Sequence, residues 1–134
     1  MKVLLVLFVL YSSLFSCDLY KSYKGTALVD KDFKQNVVLK VNSKKSDLYK
    51  GKIKYTDEFG MSTADTNITL KGNKLKMQEY NSVTKNYDGK NDEYFDESGY
   101  FRGTVSDDCK SIEMIWISGN AKIVIDDKVM LKAY

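Results

Sequence analysis

The two cysteines, Cys17 and Cys109, are the most reactive side chains of this 134-residue sequence. The chain contains no histidine, which removes the Ser-His and Cys-His nucleophilic systems and most zinc sites. Asp107 and Asp108 stand beside Cys109, and their charges disfavour the thiolate that a nucleophilic cysteine needs. We therefore expect no enzyme activity, no catalytic residues and no cofactor.

A carboxylate-rich stretch, residues 86–97, is the second candidate for chemistry. Its carboxylates are Asp88, Asp92, Glu93, Asp96 and Glu97. Aligning Asp88-Gly89 with the Asp-Gly of an EF-hand loop places Thr84 and Phe95 where Asp and Glu are required, so that pattern fails. The residues favour a solvated hairpin loop over a loose calcium site, and we expect no metal.

The N-terminus has the features of an export signal. Met1-Lys2 precede an almost unbroken apolar run from Val3 to Leu10. The whole stretch from Val3 to Phe15 is shorter than the about 20 residues that a spanning helix needs. One positive charge, a short apolar stretch and small residues before a polar turn predict a secretory signal peptide. We expect a signal peptide over 1–16 and a folded domain over 17–134.

The residues Leu14-Phe15-Ser16-Cys17 resemble the lipobox of bacterial lipoproteins, with an aliphatic residue at −3, a small one at −1 and Cys first in the mature chain. The resemblance implies a diacylglycerol linked to Cys17, so that the domain is anchored to a membrane of the cell envelope and Cys109 is a free thiol. In the alternative, Cys17 is unmodified and a secreted chain closes a Cys17–Cys109 disulfide. The two interpretations exclude each other.

From residue 18 onward, apolar and polar residues alternate in segments separated by turn signals, which is typical of an all-β fold. In the segment from Tyr49 to Tyr55, for example, Tyr49, Ile53 and Tyr55 share one face and three lysines take the other. Gly72-Asn73 suits a two-residue hairpin turn. Eight such segments predict an eight-stranded antiparallel up-and-down β-barrel, with a two-sheet β-sandwich as the alternative.

Several segments together resemble the lipocalin-like (calycin) barrels of small bacterial lipoproteins. The resemblance covers nearly the whole mature chain and rests on the order of Gly25, Leu48-Tyr49-Lys50-Gly51, Ile68 to Leu75, Gly99-Tyr100-Phe101-Arg102-Gly103, Ile112 and Trp116. It implies the same barrel architecture.

The interior of a small barrel is either filled by side chains or holds one small ligand. Mostly apolar walls with a few polar groups are typical of a pocket for a small amphipathic molecule. The candidate ligand-binding residues are Tyr49, Ile53, Tyr55, Met77, Arg102 and Trp116, with Thr66 as a further polar member of the interior. In the alternative, these residues simply fill the core.

The outer face offers a second binding surface. Lys40, Lys50, Lys52 and Lys54 project from neighbouring strands and suit anionic headgroups or an acidic polymer, although such lysines often serve only solubility. The formal charge is only +3 and the chain has a single arginine, Arg102, which argues against a nucleic-acid partner.

These observations predict a lipid-anchored envelope protein that binds a small hydrophobic or amphipathic ligand in its barrel. The alternative function is a protein- or polymer-binding module that acts through the outer face and the 80–98 loop.

Overall fold

The computed structural model describes residues 17–30, 33–89, 99–117 and 123–134. Its eight strands form one closed antiparallel barrel in which each strand pairs with its sequence neighbours and the first pairs with the last. The predicted up-and-down barrel is confirmed, and the sandwich alternative is wrong. Among the described residues, no helix is long and apolar enough to cross a membrane.

The strands follow the chain in order around the barrel. They are β1 Ser22–Asp30, β2 Phe33–Lys45, β3 Leu48–Thr56, β4 Gly60–Lys71, β5 Lys74–Asn86, β6 Tyr100–Val105, β7 Ser111–Ile117 and β8 Ile123–Ala133. We call the end that carries residues 17–21 and the β2–β3, β4–β5 and β6–β7 turns the closed end. The opposite end, reached by the other four connections, is the loop end.

The core follows directly from the period-2 alternation of the strands. In β3 every second residue is buried, while Lys50, Lys52 and Lys54 between them are exposed. The inward side chains that are less than 2% exposed include Tyr23, Leu39, Ile53, Ile68, Met77, Ile112, Met114 and Leu131. Because a strand presents successive side chains to opposite faces, one register places all of these residues in a single interior.

The seam between β1 and β8 closes the barrel at a point where no side chain fits. Gly25 lies opposite Leu131 in the register. A Cβ atom added to Gly25 would lie 1.8 Å from the carbonyl oxygen of Met130, so any larger residue would push the two strands apart. The predicted Gly72-Asn73 turn is also confirmed, and Gly72 takes the positive φ of 59° that favours glycine.

The N-terminal segment is joined to the closed end by a disulfide between Cys17 and Cys109. Their Cα atoms are 5.7 Å apart although 92 residues separate them in sequence. Cys109 is fully buried and has a φ of 58°, in the left-handed region. The Tyr23 hydroxyl donates a hydrogen bond to the Cys109 carbonyl oxygen at 2.6 Å, which fixes this turn to β1.

Hydrogen bonds organise the rest of the closed end. Asp108 Oδ1 accepts from Ser106 Oγ and from the Lys110 N–H, and these bonds hold the pKa of Asp108 below its usual value. The Asp18 carboxylate contacts Lys44 Nζ and accepts from the Tyr49 hydroxyl at 3.1 Å. Bonds from Lys44 and Tyr49 likewise lower the pKa of Asp18.

The connection before β6 begins later than the sequence predicts. Residues 80–86 belong to β5 and pair with β4, so the expected 80–98 loop starts only at Tyr87. A bulge at Asn81, with a φ of 52°, keeps this polar stretch in the ladder. The expectations for the signal peptide and lipobox residues of 1–16 and for the acidic residues of 90–98 lie outside the described residues.

Removal of the disulfide is expected to destabilise the barrel. The double variant C17S/C109S releases a cross-link over 92 residues, and such cross-links contribute about 2–5 kcal/mol to the free energy of unfolding. Urea unfolding of residues 17–134 measures the loss. The wild type under reducing conditions should match the variant, and a reductant-insensitive unfolding midpoint would contradict the prediction.

Alkaline pH is expected to weaken the contact between Tyr23 and Cys109. Burial raises the pKa of Tyr23, and a hydrogen bond from the Tyr20 N–H offsets this only in part. The stability that the neutral phenol contributes is therefore present below pH of about 10 and is lost as pH rises through the folded-state pKa. The difference in unfolding free energy between wild type and Y23F, measured from pH 7 to 11, should shrink above pH of about 10. A constant difference across that range argues against the assignment.

Candidate functional site

A small set of polar groups lies inside the otherwise apolar barrel. Thr66 and Glu79 are the buried polar residues of the described chain, at 0% and 7% exposure. They face each other across the β4–β5 ladder. The buried Tyr55 hydroxyl donates to Glu79 Oε1 at 3.1 Å. We call Tyr55, Thr66 and Glu79 the polar layer.

Strand alternation explains why these polar side chains point inward. On β4, Thr66 lies between the buried residues Ala64 and Ile68, and on β5, Glu79 continues the buried series that includes Met77. A backbone in regular register cannot turn Thr66 outward without also turning its buried neighbours. The polar layer is therefore imposed by the same register that builds the core.

The Thr66 hydroxyl is not satisfied by the described residues. Thr66 Oγ1 is fully buried and has no hydrogen-bond partner among them. Gly51 lies opposite Thr66 on β3, and a Cβ atom at Gly51 would lie 3.2 Å from Thr66 Oγ1. A buried hydroxyl without a partner costs about 1–3 kcal/mol, so Thr66 Oγ1 lowers the stability of the folded chain and has hydrogen-bonding capacity that the described residues do not use.

Two aromatic residues lie toward the loop end. Phe101 pairs with Trp116 across the β6–β7 ladder and with Met77 across the β5–β6 ladder. Trp116 is half-buried and packs against the core. Its ring covers Gly99, where an added Cβ atom would lie 2.3 Å from Trp116 Cζ2. The missing side chain at position 99 is thus what allows the indole to fold over the start of β6.

The six residues proposed from the sequence are divided between different places. Tyr55 and Trp116 lie toward the loop end, while Ile53 and Met77 are fully buried in the core. Tyr49 lies at the closed end, where its hydroxyl donates to Asp18.

The expectation that Arg102 points inward is wrong. Phe101 and Val105 take the buried positions of β6, and Arg102 is exposed on the outer face. Two residues that flank a buried position on a strand both face outward, so a buried Phe101 excludes a buried Arg102.

Glu79 is the member of the polar layer that the sequence reasoning missed. The sequence contains the pattern that predicts its position, because the alternation of Leu75 and Met77, continued by two residues, places Glu79 on the inner face. Charged side chains are rarely buried, so residue type alone argues against an inward Glu79. Inward placement of Thr66 was predicted and is confirmed.

Comparisons with known proteins add no family to these observations. No protein-family model matches this chain, and a search of curated proteins finds no significant relative. The resemblance to lipocalin-like barrels is therefore limited to the architecture, with which the closed eight-stranded barrel is compatible.

Replacing the Thr66 hydroxyl by a methyl group is expected to stabilise the ligand-free protein. The T66V variant keeps the shape of the side chain and removes the unsatisfied buried group, so the free energy of unfolding should rise by about 1 kcal/mol. Chemical denaturation measures the change, and T66S, which keeps the hydroxyl, is the matched control. A less stable T66V would show that the hydroxyl is bonded in the folded protein.

Proposed function

We propose that this protein is an exported, non-catalytic binding protein that holds a small amphipathic ligand in the loop-end half of its barrel. The observation that carries the proposal is the polar layer, which places three oxygen-bearing side chains inside an apolar interior. Apolar walls with a few convergent polar groups are the usual composition of small-molecule sites.

The packing of the barrel supports a site restricted to one half of the interior. Leu39, Ile68, Met77 and Met114 are at most 1% exposed, so side chains fill the middle of the barrel. The closed end is occupied by Tyr23 and the disulfide. The apolar part of the ligand is therefore proposed to lie against Phe101 and the half-buried Trp116.

The chemistry of the polar layer favours one type of headgroup. Its groups are a carboxyl, a phenol and a hydroxyl, and the Tyr55 phenol already donates to the Glu79 carboxyl. A headgroup that donates hydrogen bonds, such as an amine or an alcohol, matches these acceptors. A carboxylate headgroup would bring a second acidic group beside Glu79 and is disfavoured.

The disulfide supports the secreted alternative for the location of the protein. Because the Cys17 sulfur is bonded to Cys109, it has no valence left for a thioether to diacylglycerol. The lipid anchor at Cys17 is the competing proposal. The intact mass of the mature protein distinguishes the two, since lipidation adds the mass of the acyl groups and a disulfide removes only two hydrogens.

Ligand binding is expected to change the emission of Trp116, which is the single tryptophan of the chain. Dodecylamine, dodecanol and dodecanoate share one tail and differ in the headgroup. We expect the amine or the alcohol to shift Trp116 emission to shorter wavelength, because the tail excludes water from the indole, and dodecanoate to bind more weakly.

Two tyrosine variants provide the matched control for this titration. Y55F removes a hydroxyl from the polar layer and is expected to weaken binding about five- to tenfold. Y49F removes the same atom at the closed end and should leave affinity unchanged. The proposal would be contradicted if none of the three compounds changed the Trp116 emission or shifted the melting temperature.

A further inference from the structure

The outward faces of the strands carry an excess of positive charge. On the strands, the outward-facing acids with described side chains are Asp65 and Glu113. The cations on the same outer surface are far more numerous and include Lys24, Lys34, Lys40, Lys50, Lys52, Lys54, Lys71, Lys74, Lys76, Lys85, Arg102, Lys128 and Lys132. Most other described carboxylates lie in turns or connections at the two ends, such as Asp47, Asp57, Glu58 and Asp107. Among the side chains that the structure describes, the outer wall of the barrel therefore carries an excess of positive charge.

One part of this wall is a groove. A depression of about 710 Å³ crosses the outer face from β4 to β7. Lys71, Lys74, Lys76 and Arg102 line it, together with the ring of Tyr100. We call these five residues the basic groove. It contains the single arginine of the chain.

The positive charges of the groove are not neutralised by the described residues. The ion pairs among those residues join Lys44 to Asp18, Lys52 to Asp65 and Lys128 to Glu113, and none involves a cation of the groove. Glu113 is the acid in the lining, and its carboxylate is held by Lys128 at 2.6 Å. The groove thus presents four cations and no uncommitted anion among its described residues.

The register brings like charges together instead of separating them. Lys76 lies directly opposite Arg102 across β5 and β6, and Lys71 directly opposite Lys74 beside the hairpin turn. Like charges at directly opposed positions destabilise a sheet. Lys76 Nζ also lies 4.5 Å from the Tyr100 ring centroid, which orients one of these charges over an aromatic face. A bound anion would relieve the repulsion between these like charges.

We propose that the basic groove binds a flexible acidic polymer that carries carboxylate or sulfate groups, such as an acidic polysaccharide. Residues two apart on one strand are about 7 Å apart, and neighbouring strands are about 5 Å apart. Successive charges of a flexible chain can therefore each meet one cation of the groove. This site lies outside the barrel and is separate from the interior ligand site.

The shape of the wall favours a flexible chain over other anionic partners. A planar membrane touches a cylinder along only a few adjacent strands, whereas cations extend around to Lys24 and Lys132, which are paired across the β1–β8 seam. Nucleic-acid recognition relies on the bidentate geometry of arginine, and the groove has one arginine among four cations. A flexible polymer can follow the concave groove and continue along the curved wall.

The test compares two triple variants of residues 17–134 in binding to fluorescently labelled dextran sulfate. K74Q/K76Q/R102Q removes three charges from the groove, and K50Q/K52Q/K54Q removes three from the outer face of β3. Both variants lower the net charge by the same amount. A difference between their affinities for dextran sulfate would therefore indicate a specific site. At 0.15 M NaCl we expect at least a tenfold loss of affinity for the groove variant and less than a threefold loss for the β3 variant.

Stability measurements keep a negative result interpretable. The groove variant relieves the repulsion between Lys76 and Arg102, so its melting temperature should equal or exceed that of wild type. R102K, which retains the charge, should keep most of the affinity.

Three results would overturn the proposal. The first is an equal loss of affinity in both triple variants, which would mean unspecific attraction to the whole wall. The second is no binding of dextran sulfate by the wild type. The third is tighter binding, with the same sensitivity to the groove substitutions, to phosphatidylglycerol vesicles or to single-stranded DNA, which would replace the polymer by that partner.

Discussion

Closure of the sheet between β1 and β8 is the constraint on which the rest of this structure depends. A sheet with two free edges would expose unpaired N–H and C=O groups and would leave its apolar face half covered. The antiparallel pairing from Tyr23–Ala133 to Leu28–Lys128 removes both edges. It also requires the backbones to approach so closely at Gly25 that a single added carbon would collide with β8. Once the ring is closed, every strand has one face inside and one outside, and the position of a side chain follows from its parity along the strand except where a bulge shifts the register.

Closure also makes the two ends of the barrel different. The closed end is secured by interactions between residues that are distant in sequence: the Cys17–Cys109 bond, the hydrogen bond from Tyr23 to Cys109, and backbone bonds from Ala133 to Lys110 and from Tyr134 to Ser22. The fully buried Tyr23 and Cys109 occupy the core at this end. Toward the loop end, the buried residues include the small Ala27 on β1 and, on β4, Ala64 next to Thr66. The difference in packing along the axis is therefore the physical reason for proposing a site at one end only.

The sequence alone predicts the barrel well, because the signal for it is local. Alternation identifies the strands and places Thr66, Met77 and Ile53 inward. The residue types of Gly72-Asn73 identify the hairpin turn. The candidate site is predicted less well, because which residues share a level of the barrel depends on the tilt and register of the whole sheet. Tyr49 and Tyr55 are on the same face of β3, yet one contacts Asp18 at the closed end and the other contacts Glu79. No local pattern distinguishes them. The expectation that Arg102 points inward is wrong for a different reason. The neighbouring Phe101 is buried, and this alone places the Arg102 side chain on the outer face.

Strands β4, β5 and β6 contribute to both proposed sites, and this arrangement determines how the sites relate to each other. On β4, Thr66 points inward and Lys71 lines the groove. On β5, Glu79 and Met77 point inward while Lys74 and Lys76 point outward, and on β6, Phe101 points inward while Arg102 points outward. A single layer of hydrogen-bonded backbone separates the polar layer from the basic groove. An occupant of one site therefore has no steric reason to displace an occupant of the other. Coupling between them would act through the backbone of these shared strands. The shortest ladder there is the one between β5 and β6, which in the described residues spans Lys74 to Met77 on β5 and Phe101 to Thr104 on β6. A change in this short ladder on binding at the basic groove would also move Met77 and Phe101, which point into the barrel.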